Sequence, residues 1–324
     1  MERRTIAKNL PAVHRLVLGT MTFGKQVDEP TAASMIDLCL ERGINFIDTA
    51  NMYVDGESEA ILGRLLSGRR DKVVLATKVG NKMGDGPNDA GLSRGAILKQ
   101  IDASLRRLKT DYVDVYYQHL PDRGTPIDET VAAMNEVVRQ GKARLVGASN
   151  YSAWQTCRMR WLAESSGLAP VEVTQPMYNL LARGIEPEFL PMCRALGLST
   201  VVYNPLAGGL LTGKHSAETP PAMGTRFDGN TMYQNRYWHR QNFEAVAHLK
   251  QAADRDGRSL ISVALGWLLH HTPIDCIILG ASSVAQLQAN LNAAEDGPCS
   301  EPLLAACAEV WEMVRPISPR YLRD

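Results

Sequence analysis

The chain has 324 residues, 45% hydrophobic and 22% charged, enough for two ordinary domains or one large barrel with a sizeable core. Its 35 lysines and arginines balance 35 aspartates and glutamates, so no net field draws nucleic acid or an anionic membrane. It shows neither a run of ~18 apolar residues nor the apolar core of a signal peptide, so a cytoplasmic protein without a membrane segment is expected.

In chain order, the apolar run LVLGT (16–20) comes first. A helical pattern follows, with Pro30 at its first position, Met35, Leu38, Cys39 and Arg42 on one face, and Gly43 as a left-handed stop. NFIDTA (45–50) is the second apolar run, and another helical pattern begins after Gly56. VVLATK (73–78) leads to SRGAILKQIDASLRRL, with Ser93 as cap and Ile97, Ile101, Leu105 and Leu108 on one stripe. VDVYYQH (113–119) precedes ETVAAMNEVVRQG, which presents Val131, Met134 and Val138 and stops at Gly141. RLVGASN (144–150) precedes SAWQTCRMRWLAES, where Trp154, Cys157 and Trp161 recur at helical spacing. VTQPMYN (173–179) and TVVYNPL (200–206) follow. SLISVALGWLLHH then presents Leu260, Val263, Ala264 and Trp267, ahead of the last run, CIILGA (276–281).

Near-continuous apolar strands suit a parallel sheet buried on both faces. Eight of them alternating with helices predict an α/β fold, a (β/α)8 TIM barrel, as a single domain over residues 1–324. A doubly wound open sheet is the alternative, but LGTMTFG stands after the first strand where a GxGxxG turn would be needed. One long irregular stretch, 207–239, follows the seventh strand; loops of that length are usually functional or disordered. The six cysteines (Cys39, Cys157, Cys193, Cys276, Cys299, Cys307) are scattered and form no CxxC pair, which fits reduced thiols.

In such a barrel the C-terminal strand ends line the active site. Asp48 ends the second strand, Tyr53 lies in the loop after it, Lys78 ends the third and His119 the fourth. Neighbouring strands are ~4.8 Å apart, so the four side chains can converge. A tyrosine is a useful general acid only if its pKa of ~10 is drawn down, which an adjacent ammonium does. Asp48 supplies the counter-charge that keeps Lys78 protonated, and His119 can hydrogen-bond a carbonyl oxygen. Singly, each residue has an ordinary structural explanation: a turn aspartate, a packed tyrosine, a surface lysine, a core histidine. Together they suit proton donation to a carbonyl while hydride arrives from elsewhere. A Schiff-base aldolase on Lys78 is disfavoured because Asp48 keeps the amine charged. No histidines show metal-ligand spacing such as HxH, so no metal is expected.

These residues, and the motifs around them, resemble the aldo-keto reductases over essentially the whole chain. DTANMY (48–53), ATK ending at Lys78 and YYQH ending at His119 are similar to that family's Asp, Tyr, Lys and His tetrad. VGASNY (146–151), YNPLAGGLLTGK (203–214) and LGASSVAQLQANLNAAEDGP (279–298) match further signatures. That last segment, MYN (177–179), RF (226–227), YQNRYW (233–238) and the tail PRYLR resemble most the aflatoxin-aldehyde and succinic-semialdehyde reductase branch.

The resemblance implies an NADPH-dependent reduction of an aldehyde or ketone, with NADH open as a second cofactor and a homodimer suggested by the branch. The cofactor would lie over the barrel mouth, near Thr20, Met21 and Asp48. Ser149, Asn150 and Gln175 would bond its carboxamide and Tyr203 would stack on its ring. Residues 204–214 (Asn204, Pro205, Leu206, Gly208, Gly209, Leu211, Gly213 and Lys214 among them) would clasp the diphosphate. Gly280, Ser282, Ser283, Gln286 and Asn290 would hold the adenosine phosphate. Many relatives carry Lys or Arg at this end, where this chain has Gly280, Ser283 and Gln286. Met52, Tyr53, His119, Arg226 and Arg323 would face the substrate, with the C-terminal tail docked over the mouth and the two arginines suited to a carboxylate. A slow, cofactor-binding regulatory subunit on the same fold is the competing implication.

Overall fold

Eight apolar runs become strands: β1 (Leu16–Gly19), β2 (Phe46–Asp48), β3 (Val74–Val79), β4 (Val113–Gln118), β5 (Ala143–Ser149), β6 (Val171–Gln175), β7 (Ser199–Val202) and β8 (Cys276–Leu279). Only Arg144, Glu172 and Ser199 among their residues are not buried, so both faces of nearly every strand are covered. In the computed structural model, which describes residues 2–316, the strands pair in parallel in chain order. β8 returns beside β1 to close the barrel, so the chain is a (β/α)8 barrel and the open-sheet alternative falls.

The chain packs as two compact units. One comprises Met1–Pro176, Pro191–Val201 and Asp275–Gln288, and the other Met177–Leu190, Val202–Ile274 and Ala289–Asp324. In the first, the helices α1 (Glu29–Glu41), α2 (Glu57–Leu65), α3 (Arg94–Leu108), α4 (Ile127–Arg139) and α5 (Ala153–Ser165) each follow a strand. α1 and α3 begin with ordinary side-chain caps. Asp28 accepts the Thr31 N–H at 3.0 Å ahead of Pro30, and Ser93 accepts the Ala96 N–H at 3.2 Å. α6 (Phe189–Leu196) leads into β7. The second unit contains α7 (Thr231–Tyr237), α8 (Arg240–Arg255) and α9 (Leu260–His271), and α10 (Val284–Ala294) runs into it from the first. α11 (Glu301–Val314) packs against α8 there. No helix among the described residues is long and apolar enough to cross a membrane.

Two expectations need correcting. The stripe of Trp154, Cys157 and Trp161 is exposed, and α5 instead buries Ala153, Thr156, Met159 and Ala163. Small residues let the helix approach its neighbours closely, which leaves the bulky indoles outside. Stretch 207–239 is also less irregular than expected, since it contains a 3-10 turn at Ala207–Thr212 and α7. Smaller shifts follow the same logic: in α4 it is Val137, not Val138, that joins Val131 and Met134 in the core, and in α1 Ile36 takes the buried place expected of Leu38.

The register sets the level of the barrel interior. Lys78 lies level with Tyr117, and Tyr117 with Gly147, at an irregularity in the β5–β6 pairing. A Cβ at Gly147 would sit 2.3 Å from Tyr117 Cδ1, so glycine makes the space that the phenol ring fills. Gly147→Ala is therefore expected to lower stability by roughly 1–3 kcal/mol through overpacking. Gly184→Ala, where an added Cβ meets nothing within 4 Å, should leave the melting temperature unchanged. Equal melting curves for both variants and the parent would show that the Tyr117 ring yields freely.

Candidate active site

Asp48 is the last residue of β2 and Lys78 lies one residue from the end of β3; both side chains are buried. The Lys78 ammonium pairs with Asp48 Oδ1 and donates to the Thr49 carbonyl at 2.7 Å. Asp48 Oδ2 accepts from Gln175 Nε2 at 2.8 Å, so both carboxylate oxygens are engaged. Burial alone would pull the Lys78 pKa down, but the Asp48 carboxylate, and after it Tyr53, more than reverse this and hold it above the ordinary lysine value. The amine is therefore a cation and not a nucleophile.

Tyr53 Oη lies 3.5 Å from that cation. The loop that carries it is unusual in backbone: Val54 (φ 50°, ψ 48°), Asp55 (φ 53°, ψ 34°) and Gly56 (φ 94°) are left-handed in succession. For a β-branched valine this conformation is strained, at a cost on the order of 1–3 kcal/mol. The strain is held by anchors on the next helix. Ser58 Oγ lies 2.9 Å from the hydroxyls of both Thr20 and Thr49 and donates to the Thr20 carbonyl. Buried Glu59 accepts from Thr77 Oγ1 at 2.5 Å and from Arg107 Nε at 2.7 Å. Thr77 precedes Lys78 in β3, so the two sides of one strand grip the ammonium site and the tyrosine loop. Ser58, Glu59 and Arg107 were not foreseen from sequence; a glutamate in the first turn of a helix reads as a dipole partner, with nothing local to mark it as buried.

His119 follows β4 directly, its N–H donating to the Val79 carbonyl at 2.8 Å. Its ring meets Tyr53 edge-on, centroids 6.0 Å apart, and its Nδ1 is buried with no hydrogen-bond partner among the described residues. Burial, and then the Lys78 charge, push its pKa down to about 3, so the imidazole is neutral near pH 7. Asn150 Nδ2 donates to the His119 carbonyl at 2.9 Å and to Ser149 Oγ at 3.1 Å, and Ser149 Oγ donates to the Gln175 carbonyl at 2.8 Å. Asp48, Lys78, Tyr53 and His119 are thus brought together, joined to Ser149, Asn150 and Gln175 through Asp48 and the His119 backbone. Met21, Met52 and Leu120 are exposed and apolar; they adjoin Thr20, Tyr53 and His119 in the chain.

The remaining expected residues fall as follows. In the second unit, Tyr203 bridges to Met177, and Asn204 Oδ1 accepts the Gly208 N–H at 2.7 Å while its Nδ2 donates to Tyr237 Oη at 2.9 Å. The chain then turns sharply, with Ala207, Gly208, Gly209 and Gly213 all at positive φ. Pro205 and Leu211 are buried, Leu206 is half-buried and Lys214 is exposed. Arg226 stacks over the Tyr233 ring, 5.5 Å from its centroid. In the first unit, exposed Ser282 donates through both its N–H and its hydroxyl to Gln286 Oε1, at 2.7 and 3.0 Å. Ser283 Oγ accepts the Gln286 N–H at 3.2 Å, and Gly280 faces open space. Asn290, in the second unit, is buried with its Nδ2 unpaired among the described residues, a donor that a ligand can complete. Arg323 and the tail that was expected over the mouth lie outside the described residues.

A closed barrel with a buried carboxylate–ammonium pair, a phenol and a neutral imidazole at its strand ends is the frame of a barrel oxidoreductase. The aldo/keto reductase family model matches residues 15–312, and the chain belongs to that family. It is 39% identical to aflatoxin B1 aldehyde reductase member 2 of Homo sapiens, covering 99% of this chain and 94% of the relative. Human aldo-keto reductase family 7 member A3 is 38% identical, over 99% of each chain. A probable voltage-gated potassium channel subunit beta of Arabidopsis thaliana is 37% identical over 100% of both.

The buried pair yields a coupling test. Asp48→Asn or Lys78→Met alone leaves one member of the pair without its partner, and each is expected to cost about 3–5 kcal/mol in a denaturant melt. The double variant should lose clearly less than the sum of the two. Additive losses would mean that the two side chains do not depend on one another.

Proposed function

We propose that this chain is an NADPH-dependent reductase of aldehydes or ketones, with Tyr53 as general acid. The observation that carries the reading is the Lys78 ammonium, paired with Asp48 and within 3.5 Å of Tyr53 Oη. Bound NADPH would supply the hydride. Tyr53 delivers a proton from Oη to the carbonyl oxygen, and the Lys78 cation stabilises the phenolate left behind. Asp48 keeps that cation charged. His119, neutral, orients the carbonyl by donating a ring N–H, a role that a cationic imidazole would complicate by adding a second positive charge beside Lys78.

We assign the carboxamide of the nicotinamide to Ser149, Asn150 and Gln175. Gln175 Nε2 is committed to Asp48, so its carbonyl oxygen is the atom left to accept. Thr20, Met21 and Asp48 flank the same end, and Tyr203 serves as the stacking surface. Residues 204–214 take the diphosphate; Gly280, Ser282, Ser283, Gln286 and Asn290 take the adenosine phosphate. Charge-assisted bonds to phosphate oxygens are about twice as strong as neutral ones, so hydroxyl and amide donors favour NADPH over NADH. Six free cysteines, five of them buried, suit a reducing, cytoplasmic setting. The likeness to a channel beta subunit supports a second reading, a slow cofactor-binding regulatory subunit. Turnover with a test aldehyde separates the two.

Tyr53→Phe should lower kcat ~100- to 10,000-fold while leaving the NADPH Kd nearly unchanged. A variant that keeps more than half of the parent kcat would sink the general-acid assignment, and equal Kd values for NADPH and NADH in the parent would sink the cofactor preference.

For the substrate, we propose an aldehyde bearing a second, anionic group, such as succinic semialdehyde, met by Arg226 and Arg323. A guanidinium binds a carboxylate with two parallel hydrogen bonds, which a lysine cannot do. Arg226→Met should raise KM for a carboxylated aldehyde about tenfold while sparing benzaldehyde. Equal effects on both substrates would leave Arg226 no part in recognising the carboxylate.

A further inference from the structure

Just past the glycine turn lies a histidine to which the mechanism above gives no task. His215 meets Phe227 edge-on at 5.1 Å and Trp238 at 5.4 Å between ring centroids. Those two rings contact each other at 4.9 Å, and Phe243 packs on Trp238 at 5.0 Å. An imidazole wedged into such a group has little freedom to turn. Its Nε2 is nevertheless buried with no hydrogen-bond partner among the described residues. Buried polar atoms are rarely left this way unless a ligand or water completes them.

What adjoins Nε2 is Gly209. The Cβ that any other residue would carry there sits 3.7 Å from His215 Nε2 and 3.9 Å from Lys214 Cε. Glycine is favoured at this position by its φ of +104°, and it also keeps clear the space between an imidazole nitrogen and the stem of a lysine. The N–H groups of Ala207, Gly208 and Gly209 are all donated within the turn itself, so side chains are what this segment has to offer a ligand. Burial, and then the Lys214 charge, hold the His215 pKa below the ordinary histidine value, so the ring is neutral at pH 7 and offers a single N–H.

We infer that His215 is a second anchor for the diphosphate of a dinucleotide, its Nε2–H donating to a phosphate oxygen across Gly209, with Lys214 supplying the charge. The inference rests on the reading of segment 204–214 as the diphosphate clasp, and adds to it a residue that recognises by hydrogen bonding.

The test measures binding without turnover, by the fluorescence of reduced nicotinamide titrated with protein. His215→Phe retains an aromatic ring against Phe227 and Trp238 but has no donor; His215→Gln restores a donor and loses the ring. Thermal melts establish that each variant is folded. His215→Phe should raise the Kd of NADPH about tenfold or more, and that of NADH by the same factor, because both nucleotides carry the diphosphate. His215→Gln should lose much less. Unchanged affinity in His215→Phe overturns the inference, as does weakening confined to NADPH, which would assign His215 to the 2′-phosphate. Equal losses in the two variants would reduce its role to packing, and overturn it too. If the parent protein binds neither nucleotide, the reductase reading itself fails; if the parent binds both and His215→Phe binds them equally well, only His215 is misassigned.

Discussion

A lysine ammonium with no access to solvent is tolerated only if its charge is answered, and Asp48 answers the charge of Lys78. The rest of the site is arranged around that pair. Gln175 satisfies the second carboxylate oxygen, the Thr49 carbonyl takes another ammonium proton, and the phenol of Tyr53 meets the side that remains. The pair also bears on the state of His119. Burial first, and then the positive charge close by, make a second cation unfavourable, so the imidazole stays neutral near pH 7.

The barrel supplies this pair with a fixed geometry. Asp48 and Lys78 sit on adjacent strands whose register is set by backbone hydrogen bonds, and at the level of Lys78 the Tyr117 ring fills the space that Gly147 leaves. The tyrosine loop is held separately, through Ser58 on one side and the Thr77–Glu59–Arg107 chain on the other. Rigid strands carry the charges, and a strained, anchored loop carries the phenol. The membership of the aldo/keto reductase family accords with a site built on strand ends, where loops vary without disturbing the core.

Much of the fold was legible because parallel strands buried on both faces leave continuous apolar runs, and the caps at Asp28, Pro30 and Ser93 are local signals. The convergence of Asp48, Tyr53, Lys78 and His119 was legible for a related reason: each stands at or just past the end of such a run, so a barrel topology suffices to gather them. What was hidden depends on direction or on distance in the chain. The stripe of Trp154, Cys157 and Trp161 has helical period, but period alone does not say which face turns inward when the opposite face is made of Ala153, Thr156, Met159 and Ala163. Glu59 and Arg107 are 48 residues apart, and no local pattern links them. The 3-10 turn at Ala207–Thr212 was obscured because glycines at positive φ read as irregular loop.

The left-handed run at Val54, Asp55 and Gly56 has an evolutionary consequence. A glycine or asparagine at position 54 would relax the backbone, and selection for thermal robustness alone would favour it. The same relaxation would widen the set of positions open to the phenol of Tyr53, since the loop would gain conformers that the β-branched side chain now forbids. Val54 therefore marks a place where thermal robustness and a fixed position for the Tyr53 phenol pull in opposite directions, and a library screened for the first would drift away from the second.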